Sequence, residues 1–234
     1  MRFRQWVLGT TLLAPLAAVA APAEVAVLST LHRLHAEVPA YDNAAFAAAI
    51  ERLQPDVLCL EVGAAAWQAR RPERTKVEYP EVVYPLLARH GWEVCLHEPE
   101  GESAQAIAGP YIAASQALHA AQPDVAAAFD AYSEALYAAL KQHWRSPAAV
   151  NDTVTDALLQ AKHALQEALG GEGERAGWQA WNQYFLDRIS AAVAAHPGRR
   201  IVVLAGAEHG YWLRRELAGR DDLHLLDTAA LLDD

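Results

Sequence analysis

Four short apolar runs rich in β-branched residues constrain this chain more than any other feature. They lie at 24–29 (EVAVLS), 57–62 (VLCLEV), 92–97 (WEVCLH) and 200–205 (RIVVLA). Each has the length of a strand rather than a helix, and helical patterns separate them. The expected class is therefore α/β with a central, mostly parallel sheet. A weaker edge strand is expected at 223–226. Asp42 is placed to cap a helix running to about Leu53, with Phe46, Ile50 and Leu53 on one face. Pro80 suits the start of a helix that ends near His90-Gly91, and a further helix is expected from Gly210 to Leu217.

The third and fourth runs lie far apart, and the stretch between them is helical in pattern almost throughout. Breaks are expected at Pro110, Pro123, Pro147 and the GGEG at 170–173. Phe129, Tyr132, Leu136 and Leu140 recur at helical spacing and read as a packing face. Both chain ends must then build one sheet. The expected organisation is an α/β core from 21–102 and 178–234 with a helical insertion or cap at 103–177.

Residues 1–20 read as a signal peptide. Arg2 and Arg4 supply the positive start, and the apolar stretch 6–16 is too short for a bilayer, which needs ~20 residues. Ala18-Val19-Ala20 offers small residues for cleavage. The expectation is a periplasmic or secreted protein with no membrane span after processing. Lys and Arg number 19 against 29 Asp and Glu, a formal charge of −10. That balance argues against a sequence-independent nucleic-acid binder, which must neutralise phosphates. It suits a small-molecule or peptide substrate, or a metal cation. The two cysteines, Cys59 and Cys95, each sit in an apolar run without CxxC spacing. They read first as small core residues; in an exported chain with neighbouring strands they could instead be oxidised.

In open α/β sheets, ligands bind outside the carboxyl ends of the strands. Those ends carry metal-competent residues here: His32 after the first run, Glu61 closing the second, His97 and Glu98 after the third, Glu208 and His209 after the fourth, and Asp227 after the last. Imidazole with carboxylate suits Zn, Mn, Co or Fe. His35, one turn after His32, is expected to face solvent. Glu61 ends an apolar strand, so it must be paired, protonated or cation-bound, because burying an isolated charge is costly. Arg70, Arg71 and Arg74 are the nearby candidates for a salt bridge. The run 70–76 (RRPERTK) is either a solvated loop or a holder of a substrate carboxylate or phosphate. Gly206 allows a tight turn into the following helix, where Glu208 could be a ligand, a general base or a favourable charge. No GxSxG, GxxxxGK[ST], HExxH or strand-linked GxGxxG motif occurs.

With STLH at 29–32, LCLEVG around Glu61 and GAEH at 206–209, the chain resembles the TIKI/TraB superfamily. That group also takes in erythromycin-esterase-like and haem-binding ChaN-like proteins. The resemblance covers roughly 24–65 and 178–220 and rests on two GxxH-type motifs flanking a strand-ending glutamate. It implies an α/β fold with a site built from His32, Glu61 and His209. For some members it implies divalent-metal-dependent hydrolysis, including peptide cleavage. Two departures are visible: Ser29 stands for the first motif glycine, and Trp181-Asn182 matches a frequent Arg-Asn pair.

The expected function is an exported metal-dependent hydrolase acting on peptide or ester bonds. His32, Glu61 and His209 would ligate Mn, Zn or Co; Glu61, Glu208 and His209 would serve catalysis; His97, Glu98 and Arg188 would contact substrate. The alternative is a non-catalytic protein binding haem, a metal or a small ligand in the same cleft.

Overall fold

A computed structural model describes residues 21–233; the signal peptide expected at 1–20 lies outside them. Five parallel strands form one sheet: β1 (Ala23–Thr30), β2 (Val57–Leu60), β3 (Glu93–Leu96), β4 (Arg200–Gly206) and β5 (Leu223–Leu225). Their order is β3-β2-β4-β1-β5. The expected α/β class and the sheet drawn from both chain ends are what the chain forms. Continuous apolar runs arise because a parallel sheet is covered on both faces. Val25 to Leu28, Val57 to Leu60 and Ile201 to Ala205 are all fully buried. Each large aliphatic side chain among them contributes roughly 1.5–3 kcal/mol by leaving water.

The helices are α1 (Asn43–Leu53), α2 (Ala64–Ala69), α3 (Tyr84–His90), α4 (Gly101–Ala121), α5 (Pro123–His143), α6 (Pro147–Val150), α7 (Thr153–Ala195), α8 (Ala207–Leu217) and α9 (Thr228–Leu232). Asp42 caps α1 as expected, its Oδ1 accepting the Ala45 N–H at 2.9 Å. Pro80 lies in a single wide turn, Tyr79–Val83, that leads into α3, and Gly91 closes α3 at φ +66°. The chain leaves β1 towards β2 and leaves β4 in the other direction towards β5. The carboxyl ends of β1 and β4, paired at Thr30 and Gly206, therefore flank the crevice where connections diverge.

Several local expectations change. Pro110 does not break a helix; it sits inside α4. The proline forfeits one backbone bond, but its carbonyl side packs tightly on α7, where a Cβ on Gly173 would lie 2.9 Å from the Pro110 oxygen. Gly177 likewise admits Tyr111, whose Cβ would be 2.7 Å away. Gly171, at φ +71°, bends α7 in a conformation that favours glycine. The 177/178 boundary expected for the insertion falls within α7, whose later residues pack on α8, β3 and β4. α8 begins at Ala207 rather than Gly210, which puts Glu208 and His209 in its first turn.

Cys59 and Cys95 are register partners on neighbouring strands and form a disulfide, with Cα atoms 4.4 Å apart. Of the two readings open for them, small core residues or an oxidised pair, the direct pairing of β2 with β3 selects the second. The crosslink closes a sequence separation of 36 and contributes roughly 2–4 kcal/mol to stability. No helix among the described residues is long and apolar enough to cross a membrane.

Candidate functional site

Glu61 follows the last residue of β2 and is 4% exposed. Its Oε2 accepts the Gly206 N–H at 2.5 Å, which ties the ends of β2 and β4 together. Its Oε1 lies 3.3 Å from the Lys76 ammonium and 3.7 Å from His32 Nε2. Burial pushes the Glu61 carboxyl up, but Lys76, then His32 and His209, outweigh it and hold it well below the usual carboxylate range. Glu61 is thus a buried, fully compensated anion.

The compensating cation is not one of the arginines the sequence offered. Lys76 ends the basic run and is 2% exposed, so the run is not a wholly solvated loop. Its ammonium also donates to the Glu61 carbonyl at 2.9 Å and to the Glu98 carboxylate. Burial disfavours that charge, yet Glu61 and Glu98 hold its pKa above the ordinary lysine value. Glu98 moves the other way: burial raises its pKa despite Lys76, and Glu61 raises it further. Two neighbouring carboxyls are therefore driven apart, with Glu61 anionic and Glu98 the first to take a proton.

His32 enters from the other side. Its backbone adopts φ +51°. Gln54 and Arg70, the other described non-glycine residues with positive φ, close α1 and α2, so only His32 holds this conformation without ending an α-helix. Such strain costs on the order of 1–3 kcal/mol and collects at functional positions. The ring is aimed by Glu78, which accepts from His32 Nδ1 at 2.8 Å and from the Thr30 hydroxyl at 2.9 Å. That bond leaves Nε2 facing Glu61. Burial opposes the imidazolium, but Glu78 and Glu61 raise its pKa overall. Gly206 owes its identity to this ring rather than to a turn. Its φ is an ordinary −52°, but a Cβ there would meet His32 Nε2 at 2.9 Å.

His209, on the first turn of α8, is held by a different acceptor. The Asn182 amide donates to the Trp178 carbonyl at 2.8 Å, which fixes its oxygen towards His209 Nδ1, also at 2.8 Å. Nδ1–H donates and Nε2 keeps its lone pair. Trp178 stacks on the ring at 4.8 Å and Phe185 packs at 4.9 Å. Burial pushes the His209 pKa down to about 4, so the imidazole is neutral near pH 7. Two cavities adjoin His209. One, about 330 Å³, is lined by Glu61, Glu98, Tyr111, Trp178 and Trp181. The other, about 370 Å³, is lined by Thr30, His32, Tyr137, Gly206 and Glu208. A larger cavity of about 680 Å³ opens elsewhere, beside Asn151 and Thr228, and shares no residue with this cleft.

The remaining expected site residues are spread more widely. Glu208 is bound by the cap, with Lys162 at 2.7 Å and the Tyr137 hydroxyl and His163 in contact. Burial pushes its carboxyl up, but His163 and Lys162 hold it well below the usual range, which makes it a weak base. His97 is fully buried against Phe185, with neither ring nitrogen bonded, and burial lowers its pKa to about 3. Arg188 is exposed and donates to the Leu96 carbonyl at the sheet edge, away from the cleft lining. Asp227 caps α9 by accepting the Ala230 N–H. His35, expected in solvent, is 2% exposed: Nδ1 donates to the Tyr41 carbonyl and Nε2 accepts the Leu31 N–H.

Sequence reasoning missed Glu78 as the orienting group for His32, and no local pattern sets it apart from Glu73 or Glu81. Asn182 was visible only as half of the Trp181-Asn182 match. Among the described residues, no group of three or more His, Cys, Asp or Glu is arranged to hold a metal ion. The donor chemistry still suits one: two imidazoles, each with Nδ1 on a side-chain oxygen and Nε2 free, flank a carboxylate. Compared with family models, curated proteins and solved structures, the chain finds no match.

Proposed function

We propose that this cleft is the active site of an exported hydrolase acting on peptide or ester bonds, of the TIKI/TraB type its motifs resemble. The observation that carries the reading is the pair of oriented histidines. His32 from the end of β1 and His209 from the end of β4 flank Glu61, each with Nδ1 committed to a side-chain oxygen. In this reading His32, Glu61 and His209 hold a divalent cation, Mn, Zn or Co. Such a cation supplies a polarised carbonyl and a bound water of lowered pKa. Lys76 already places one positive charge beside Glu61, so a cation there shares that carboxylate with it.

The chain's own groups do the rest. Neutral His209, steadied by Asn182 at Nδ1, keeps the Nε2 lone pair by which it would hold the cation, and the proton of the attacking water passes to Glu98 on the same cavity wall. Glu61 remains anionic and balances positive charge gathered at the site. Glu98, whose environment favours its protonated form, returns a proton to the leaving group. Trp178, Trp181 and Tyr111 line one side of the cleft and restrict water there.

The test is elemental analysis of protein purified without chelators, followed by a peptide and ester panel with added Mn, Zn or Co. The expected result is bound metal that His209→Ala loses, and turnover that Glu61→Gln abolishes. Metal-free protein together with a His209→Ala variant indistinguishable from wild type overturns the reading. The aromatic lining beside His209 favours a second reading, binding of haem or another small ligand without chemistry. A Soret band on haem titration, with no hydrolysis in any condition, would select it.

A further inference from the structure

We propose that the pocket between α4, α5 and α7 is a second binding site, beside the Glu61 cleft and sharing Tyr111 and Tyr137 with its lining, for a small organic ammonium ion. The pocket has a volume of about 350 Å³, within the range of small-molecule sites. Glu174 and Gln166 of α7, Ser133 and Phe129 of α5, and Tyr111 of α4 line it. Glu174 is 2% exposed, and no protein donor reaches its Oε1. Gln166 Oε1 and Ser133 Oγ are also buried without a partner. Buried polar atoms in folded proteins are nearly always bonded, so two acceptors and a hydroxyl left open on one cavity mark a place for a donor-rich ligand.

Charge selects the kind of donor. The groups facing the pocket come from all three helices: His119 of α4, Asp130 of α5 and Lys162 of α7, besides Glu174. His119 lies 3.6 Å from Asp130, and with side chains 54% and 60% exposed both are screened by water at the pocket rim. Lys162 is spent on Glu208, with both carboxylate oxygens within 2.9 Å. Glu174 is the anion left over. Burial pushes its carboxyl up to about 7, with the Gln166 side chain and Lys162 pulling the other way. One cation with several N–H donors satisfies the carboxylate and the amide oxygen together. Phe129 and Tyr111 also line the pocket, and aromatic rings attract a cation. A primary ammonium on a short carbon chain meets each requirement; a neutral alcohol supplies no charge, and a quaternary ammonium supplies no N–H.

The experiment is titration calorimetry and thermal unfolding of the full chain at about pH 8, with n-butylammonium chloride as the probe. Potassium chloride at matched ionic strength, choline chloride and 1-butanol serve as comparators. Saturable binding of butylammonium is expected, with a raised midpoint that none of the comparators reproduces. Glu174→Gln, which keeps the side-chain shape, should weaken binding at least tenfold. Ser133→Leu, which fills the pocket from α5, should abolish it. An equal shift with potassium chloride, undiminished binding in Glu174→Gln, or no binding of butylammonium each overturns the proposal. The readout contains no hydrolysis, so its failure is separate from failure of the cleft reading.

Discussion

Glu61 and Glu174 are buried to nearly the same degree, at 4% and 2% exposure, and yet behave in opposite ways. The first lies at the sheet edge among Lys76, His32 and the Gly206 N–H, and its pKa falls. The second lies in the cap with one oxygen unbonded, and its pKa rises to about 7. Burial acts in the same direction on both carboxyls. What differs is whether the fold delivers a cation. The contrast separates two uses of a buried carboxylate: a charge held permanently as part of the sheet edge, and one left for something outside the chain to meet.

The contrast breaks most visibly if Lys76 is removed. Lys76→Met leaves Glu61 without its principal cation and should destabilise the protein by roughly 3–5 kcal/mol in urea unfolding. The double variant with Glu61→Gln should recover much of that loss. A cost below about 1 kcal/mol for Lys76→Met alone would mean that the pair does not govern Glu61. Asn182→Ala tests the orientation of His209, at a cost to the fold of roughly 1–3 kcal/mol for the part-buried His209 N–H left unmet. If the ring works through Nε2, metal affinity or turnover should fall roughly 10–100-fold, as for other groups that aim a ligand.

Glu174→Gln should go the other way and stabilise the chain, by about 1 kcal/mol, because an unbonded buried carboxylate is removed. Its pH signature is specific. Between about 4.5 and 7, folded Glu174 keeps a proton that the unfolded chain has lost, so this group lowers stability as pH rises through that window. The midpoint advantage of Glu174→Gln over wild type should therefore grow from pH 5 to pH 8. Glu61 has the opposite sign: its contribution is complete above its ordinary value of 4.5 and is lost as acid approaches its lowered pKa. Tyr137→Phe should have the smallest effect, roughly 0.5–1.5 kcal/mol, because Glu208 keeps Lys162 and His163 when the hydroxyl is lost.

Much of the sheet was readable because β-branched runs bounded by Pro and Gly leave few alternatives. The need for a partner at Glu61 was readable too, since a carboxylate closing an apolar strand cannot stay alone. Which cation answered was not. Lys76 follows three arginines in a basic loop, and nothing local marks the lysine as the one that folds inward. Gly206 was recognised, but for a turn it does not make; the reason is a ring from residue 32, far away in the chain. His35 reads as a surface histidine until Tyr41 and Leu31 close around both its nitrogens.

The sequence by itself determined the class of fold, the strands that end on polar residues, and the helical stretch inserted between them. Those follow from short-range patterns of apolar and polar residues that any backbone must satisfy. Tertiary structure alone decided the strand order that slots β4 between β2 and β1, the pairing of Cys59 with Cys95, and the partners of each buried charge. Those depend on atoms brought within about 4 Å across long separations, such as the 145 residues between Gly206 and Glu61, and no local pattern encodes that meeting.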